Sequence, residues 1–212
     1  MKPFLFILFT LILNPFSCHK PTEKSYVFFL HNRFLETHDL EDKHPDYGRT
    51  EYNEILSAFR NASFTVISEQ RQGNVNARDY AITVVHQIDS LLKSGVNPNK
   101  ITVIGTSKGG YIAQYVSSLA NNPDLNFVFI ASFRNEDLMD IPDINFCGNI
   151  LNIYEKSDPF GVSAIKRKEN STCKIKQFKE IELNTGLRHG FLFKALPEWT
   201  NPSIKWAKGD YD

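Results

Sequence analysis

Short apolar runs alternate along this chain with longer stretches whose apolar residues recur every three or four positions. The runs are rich in Val, Ile and Phe, and they predict β-strands at residues 26–31, 64–68, 101–105, 126–131, 149–154 and 178–183. Several are apolar at successive positions, as in strands covered on both faces. The longer stretches predict helices at residues 50–61, 77–93, 107–120, 163–168 and 197–208. This alternation predicts an α/β fold, a three-layer αβα sandwich built on about six mostly parallel strands.

The first 17 residues stand apart from this pattern. They carry one charge, on Lys2, and an apolar run at residues 4–13 that is well short of the roughly 20 residues needed to cross a bilayer. This layout predicts a secretory signal peptide at residues 1–17 that is removed from the mature protein.

Cys18 follows this segment directly, so the segment resembles a bacterial lipoprotein signal, in which that cysteine becomes the lipidated first residue. Pro15 stands where such signals usually have Leu, and simple secretion is the alternative. Both interpretations predict an exported protein, and the lipoprotein interpretation adds a lipid anchor at Cys18 as the only membrane contact. The rest of the chain is then a short tether at residues 18–24 and a single domain at residues 25–212.

Charge narrows the class of partner. The chain has 24 Lys plus Arg against 24 Asp plus Glu, a formal net charge of zero, and no basic stripe. Because nucleic-acid binding depends on neutralising phosphates, this balance argues against a nucleic-acid partner. No repeat or Gly/Pro/Ser-rich linker divides the chain, which supports a single domain.

Two cysteines remain beyond the leader, Cys147 and Cys173, and each lies a few residues before a predicted strand. An export compartment allows them to form a disulfide, and two buried free thiols are the alternative. Their spacing matches no metal-binding pattern.

The chain after the third predicted strand contains the pattern G-x-S-x-G, at Gly105, Ser107 and Gly109. In this pattern a tight turn from strand to helix presents a serine hydroxyl above the sheet, with glycines where a Cβ would clash. The apolar strand before the turn and the predicted helix after it are the required context. A glycine-rich turn with an incidental serine or a phosphate-binding turn is the alternative, but the spacings of a P-loop and of a dinucleotide-binding turn are absent. Ser107 is therefore the candidate nucleophile.

A serine nucleophile needs a base, and the base needs an acid that orients it. His189 is the only histidine after Ser107, and it lies in the loop after the last predicted strand. The end of the preceding strand offers two acids, Glu155 and Asp158. We predict Asp158, because the chain must leave the strand before it can turn toward His189. Glu155 is its rival.

The order Ser107, Asp158, His189 and the turn at residues 105–109 resemble those of the α/β-hydrolase superfamily, over nearly the whole chain after the leader. The resemblance implies the strand order 2-1-3-4-5-6. It implies a serine hydrolase that cleaves a carboxylic ester or thioester of a small-molecule acyl substrate through an acyl-enzyme, with no cofactor and no metal. A non-catalytic binding or surface-interaction protein with the same fold is the alternative.

The resemblance also implies an oxyanion hole. Its donors would be the backbone N–H groups of Lys108 and of either Asn32 or Arg33. The family often has His-Gly at the end of the corresponding strand, where this chain has His31 followed by Asn32.

The connection at residues 32–49 is long for a link between a strand and a helix, and such loops are often functional. Its charged and aromatic side chains include Arg33, Glu36, His38, His44, Tyr47 and Arg49. We interpret this loop either as a border of the substrate pocket or as a solvated loop tied down by salt bridges. A metal site at His38 and His44 is a further alternative, although their spacing matches no known ligand set.

Two further features bear on the pocket. Lys108 follows the candidate nucleophile, and we expect a solvated side chain there, with recognition of an acidic substrate as the alternative. The connection at residues 131–149 is too short for a cap domain, so we expect an open pocket formed by loops.

Overall fold

A six-stranded parallel sheet forms the centre of the protein. The computed structural model describes residues 23–212, so the predicted leader at residues 1–17, Cys18 and residues 19–22 of the predicted tether lie outside the described residues. The strands are β1 (Tyr26–Leu30), β2 (Lys43–His44), β3 (Gly48–Arg49), β4 (Thr65–Ile67), β5 (Ile101–Thr106), β6 (Asn126–Ile130), β7 (Gly148–Glu155) and β8 (Ile175–Leu183). The central sheet has the order β4-β1-β5-β6-β7-β8, and β2 and β3 form a separate antiparallel hairpin. The predicted order 2-1-3-4-5-6 is confirmed, and the winding reverses between β1 and β5.

Helices cover both faces of this sheet. They are α1 (Tyr52–Asn61), α2 (Ala77–Lys93), α3 (Lys108–Ala120), α4 (Asp137–Asp140), α5 (Ile165–Glu169) and α6 (Pro197–Ala207). Side chains of β1 alternate between the two layers: Val27 and Phe29 pack in a core with α1 and α6, whereas Phe28 and Leu30 pack in a core with α2 and α3. The predicted three-layer sandwich is therefore confirmed. Within residues 23–212, none of the helices has the length and apolarity needed to span a bilayer.

The apolar pattern predicted only part of the strand β8. It begins at Ile175, whereas the pattern predicts a start at residue 178. Because β8 lies at the edge of the sheet, Lys176 and Gln177 are exposed and interrupt the apolar run. The hairpin β2–β3, the helix α4 and the 3-10 helices Phe34–Glu36, Pro98–Lys100 and Arg188–Phe193 were not predicted, since elements this short produce no period.

The two cysteines form a disulfide. Cys147 directly precedes β7, and Cys173 lies just before β8, the strand that pairs with β7. Their Cα atoms are 5.2 Å apart, within the normal range for a disulfide. Of the two alternatives, a disulfide or two free thiols, the structure contains the disulfide.

Candidate active site

Ser107 lies on a sharp turn between β5 and α3. Its backbone has φ 50° and ψ −119°, a strained conformation for a residue with a side chain. Gly105 and Gly109 make the turn possible. A Cβ on Gly105 would overlap the backbone of Gly109, and a Cβ on Gly109 would overlap the carbonyl group of Leu30 at the end of β1. The turn therefore presents the Ser107 side chain at the carboxyl edge of the sheet, beside the end of β1.

His189 lies within reach of this serine. It belongs to the 3-10 helix Arg188–Phe193 that follows β8. Its Nε2 is 2.9 Å from Ser107 Oγ, and its Nδ1 is 2.6 Å from Asp158 Oδ2. With the proton on Nδ1, that N–H donates a hydrogen bond to the carboxylate, and Nε2 accepts a hydrogen bond from the serine hydroxyl. The three side chains, far apart in sequence, thus form one hydrogen-bonded line.

Asp158 is held in place by its own loop. Its carboxylate is fully buried, and the second oxygen, Oδ1, accepts a hydrogen bond from the backbone N–H of Phe160 at 2.9 Å. With both oxygens engaged, the carboxylate has a defined orientation toward His189. This geometry suits an acid that orients an imidazole and stabilises its protonated form.

Glu155, the rival acid, contacts other groups. Its Oε2 accepts hydrogen bonds from the backbone and hydroxyl of Thr185, at 2.8 and 2.9 Å, and its Oε1 accepts from the backbone and hydroxyl of Ser157, at 3.3 and 3.1 Å. Burial raises the pKa of Glu155, but these hydrogen bonds outweigh burial and hold the pKa below its ordinary value. Since Thr185 lies in the loop of His189 and Ser157 in that of Asp158, Glu155 ties the two loops together.

The predicted oxyanion donors lie on two backbone segments that meet at Ser107. α3 begins at Lys108, and the first N–H groups of a helix have no partner within it and carry its positive partial charge. On the other side, the chain after β1 turns into the 3-10 helix Phe34–Glu36. The side chain of Asn32 stabilises this turn, because its Oδ1 accepts a hydrogen bond from the N–H of Leu35 at 3.4 Å. Asn32 is not among the described residues with positive φ, so the turn does not require a glycine there.

A buried group of charges lies beside these segments. Glu36 accepts hydrogen bonds from Arg71 Nε at 3.0 Å and from Lys108 Nζ at 2.5 Å, and the side chains of Glu36 and Arg71 are fully buried. The expectation of a solvated Lys108 is therefore wrong. In the sequence Glu36 is one of several charged residues in a long loop, and Arg71 belongs to no recognisable motif. No sequence signal therefore identified the two as partners. Their pairing depends on how the loops after β1 and β4 pack together.

His31 is part of the same group. Its Nε2 accepts a hydrogen bond from the backbone N–H of Arg71 at 2.7 Å, and its Nδ1 lies 2.7 Å from the carbonyl oxygen of Asn32. Burial, with the positive charges of Arg71 and Lys108, lowers the pKa of His31 to about 3. The ring is therefore neutral at physiological pH and holds two loops together.

Two cavities meet at Ser107 and His189. The larger has a volume of about 720 Å³ and a mixed lining, with the charged side chains of Arg33, Arg134 and Asp137 beside the rings of Tyr111 and Phe160. The smaller has a volume of about 280 Å³ and is lined by the rings of Phe34, His44, Tyr47 and Phe193. A group attached to Ser107 thus borders a small aromatic cavity and a wider one in which charged side chains lie among apolar ones.

The loop at residues 32–49 lines both cavities, through Arg33, His44 and Tyr47, and is tied down by the salt bridges of the buried Glu36. His38 stacks on Phe34 with ring centroids 4.0 Å apart, and His44 stacks on Tyr47 at 4.4 Å. Residues 23–212 contain no group of three or more His, Cys, Asp or Glu side chains that could hold a metal ion.

Two rings flank His189, and no sequence pattern pointed to either as a neighbour of the histidine. Tyr47 and Phe160 approach its imidazole edge to face, with centroids 6.2 and 5.2 Å away. Phe160 follows Asp158 by two residues and is half exposed, so this aromatic ring lies at the open side of the cavity.

Comparison with known proteins gives similarity in structure only. No family model matches the sequence, and no curated protein matches it significantly. An arylesterase structure superposes with a TM-score of 0.63 at 16% sequence identity, over 91% of this chain and 78% of that chain. A truncated carbohydrate esterase from gut microbiota gives 0.59 at 12% identity, over 91% and 88%. SOBER1 from Arabidopsis thaliana gives 0.58 at 13% identity, over 89% and 100%.

Proposed function

From the α/β-hydrolase fold of this chain, we propose that it is a serine hydrolase that cleaves carboxylic esters or thioesters. The observation that carries the proposal is the hydrogen-bonded line from Ser107 Oγ through His189 to the buried carboxylate of Asp158. A serine is a weak nucleophile unless a base removes its proton, and this line supplies both the base and the acid that orients it.

In the proposed reaction, Ser107 Oγ forms a bond to the carbonyl carbon of the substrate as its proton passes to His189 Nε2. The carbonyl electron pair moves onto oxygen. Collapse of this intermediate breaks the bond to the leaving oxygen or sulfur, which takes the proton from Nε2. Water then attacks the acyl-enzyme in the same way, and the acid is released with Ser107 restored.

The backbone N–H of Lys108 and that of Asn32 or Arg33 would stabilise the negative oxygen in both steps. Each such donor is typically worth roughly 3 kcal/mol of transition-state stabilisation. The start of α3 supports the first of these donors, because the helix places a positive partial charge next to Ser107.

A fluorophosphonate probe tests the proposal directly. We expect it to label the wild type on Ser107, and we expect Ser107→Ala to lose labelling and to lower kcat on a short acyl ester by about 10⁶-fold. Ser132→Ala is the matched control. Ser132 lines the same cavity, but its hydroxyl accepts a hydrogen bond from Gln114 at 3.3 Å, so this variant should still be labelled.

A panel of short acyl esters and thioesters, assayed with the same variants, separates the two leaving-group classes. A well-folded wild type that is not labelled and turns over none of these substrates would contradict the enzyme. That result would favour the non-catalytic binding protein.

A further inference from the structure

We propose that Glu36 is a positioning residue for the oxyanion hole. Glu36 lies on the segment that follows β1; its Oε2 binds the side chain of Lys108, the first residue of α3, and its Oε1 binds Arg71 in the loop after β4. These contacts would hold the two predicted oxyanion donors at a constant separation. This inference rests on the proposed function, and it assigns a task to a residue that lies outside the hydrogen-bonded line of Ser107, His189 and Asp158.

The contacts of Glu36 use both oxygens. Oε1 accepts from Arg71 Nε at 3.0 Å, and Oε2 accepts from Lys108 Nζ at 2.5 Å. The ammonium group of Lys108 also donates to Asn74 Oδ1 at 3.1 Å. Only 17% of the Lys108 side chain is exposed, so water competes weakly for this ion pair.

A third segment of chain, at residues 71–74, closes the group. The guanidinium of Arg71 donates to the carbonyl oxygen of His31, and the N–H of Gly73 donates to the carbonyl oxygen of Glu36 at 2.9 Å. The residues before and after the predicted donor at position 32 or 33 are thus both held by the same neighbouring loop. Buried charges that are paired in this way favour one geometry, since a displacement leaves a charge without its partner.

The same two segments also meet through their backbones. Gly109 lies against the carbonyl group of Leu30, and the N–H of Glu36 donates to the carbonyl oxygen of Arg33 at 3.0 Å, which places Glu36 and Arg33 in one turn. Lys108 therefore offers its backbone N–H to the oxyanion and its side chain to the turn that carries the other donor. A displacement of that turn changes the distance between the donors.

The variant Lys108→Met tests this link, because it keeps the backbone N–H of residue 108 and the pair of Glu36 with Arg71. We expect kcat to fall about ten-fold, less than the roughly 10²- to 10³-fold typical of losing a donor outright. We expect KM to stay within about two-fold, since the donors act mainly on the transition state. Lys108→Arg keeps a cation at this position and should recover most of the lost kcat.

A boronic acid inhibitor provides a second measurement. It forms a tetrahedral adduct with a serine and places an oxygen in the oxyanion hole, so its affinity should fall by the same factor as kcat/KM in Lys108→Met. A side chain with a purely structural role would lower the unfolding temperature and leave this affinity unchanged.

Glu36→Gln removes the negative charge from both cations. This variant should show the same loss of kcat together with lower stability, because Arg71 stays buried without a counter-charge. Glu180→Gln is the matched control: the carboxylate of Glu180 accepts hydrogen bonds from Ser163 and Ala164, both at 2.7 Å, and does not line the cavities at Ser107. It should leave kcat unchanged.

The outcomes separate the two proposals. If the wild type is active and labelled but Lys108→Met keeps kcat and boronate affinity, the positioning role of Glu36 is overturned and the serine hydrolase stands. A wild type with neither labelling nor turnover overturns the serine hydrolase, and the positioning role falls with it. A ten-fold loss that Lys108→Arg recovers, matched by the loss in boronate affinity, supports both.

Discussion

The buried His31 makes the stability of this protein sensitive to mild acid. Its ring is held neutral between the loops after β1 and β4, and burial with the nearby cations lowers its pKa from 6.5 to about 3. In the unfolded chain the same ring takes up a proton near its ordinary pKa. Between these two values the unfolded state binds more protons than the folded state, so the free energy of unfolding falls as pH falls.

The size of this effect follows from the two pKa values. At pH 7 an unfolded histidine is mostly neutral, and the contribution of His31 to the pH dependence is close to zero. At pH 5 the unfolded ring is mostly protonated while the folded ring stays neutral, which costs the folded state about 2 kcal/mol. The loss grows further as pH approaches 3.

Urea unfolding at pH 7 and at pH 5 measures this loss. The variant His31→Gln retains a side-chain acceptor for the N–H of Arg71 but cannot titrate, so its free energy of unfolding should fall by about 2 kcal/mol less than that of the wild type. His86→Gln, on the exposed face of α2, should behave like the wild type. If His31→Gln and the wild type lose the same free energy between the two pH values, the account of His31 as a buried neutral ring is wrong.

Three further predictions concern the site and its frame. Asp158→Asn should lower kcat about 10⁴-fold, measured by ester turnover, whereas Glu155→Gln should lower the unfolding temperature and reduce kcat less; the reverse order would make Glu155 the functional acid. Replacing Cys147 and Cys173 by Ala should lower the free energy of unfolding by about 3 kcal/mol, because the disulfide spans 26 residues, and an unchanged urea midpoint would count against this. Gly109→Ala should yield little folded, probe-reactive protein, because its Cβ would overlap the Leu30 carbonyl; normal labelling would contradict that.

The apolar pattern predicted the central sheet because its strands are covered on both faces. In β5 and β6 every residue is buried, so apolar residues follow one another without alternation, most clearly at residues 127–130 of β6. In the edge strand β8 this signal is weak, because every residue except Leu183 is partly or fully exposed, and only residues 178–183 were predicted. The hairpin β2–β3 lacks the signal, since its residues are partly or fully exposed. What the pattern shows is burial, and it weakens where burial ends.

Some features of the candidate active site could likewise be predicted from the sequence, and others could not. The turn at Ser107 was visible because its backbone demands glycines at positions 105 and 109, and local sterics leave a local trace. The position of His189 followed from topology, because loops after parallel strands lie at one edge of the sheet. The hydrogen bonds of His189 to Asp158 and Ser107 depend on tertiary packing, and their geometry could not be predicted. The same holds for the hydrogen bonds that bind Glu155 to Thr185.

The sequence by itself thus determined the layers, the strand order implied by resemblance, the turn at Ser107 and the loops from which partners come. Only the tertiary structure decided which of two acids meets the histidine, that Cys147 pairs with Cys173, and that Lys108 is bound by Glu36. The physical reason is how far apart in the sequence the interacting residues lie. Burial and backbone strain act within a few residues and shape the local sequence, whereas an ion pair between Glu36 and Arg71 depends on the packing of two loops and leaves no periodic or local mark.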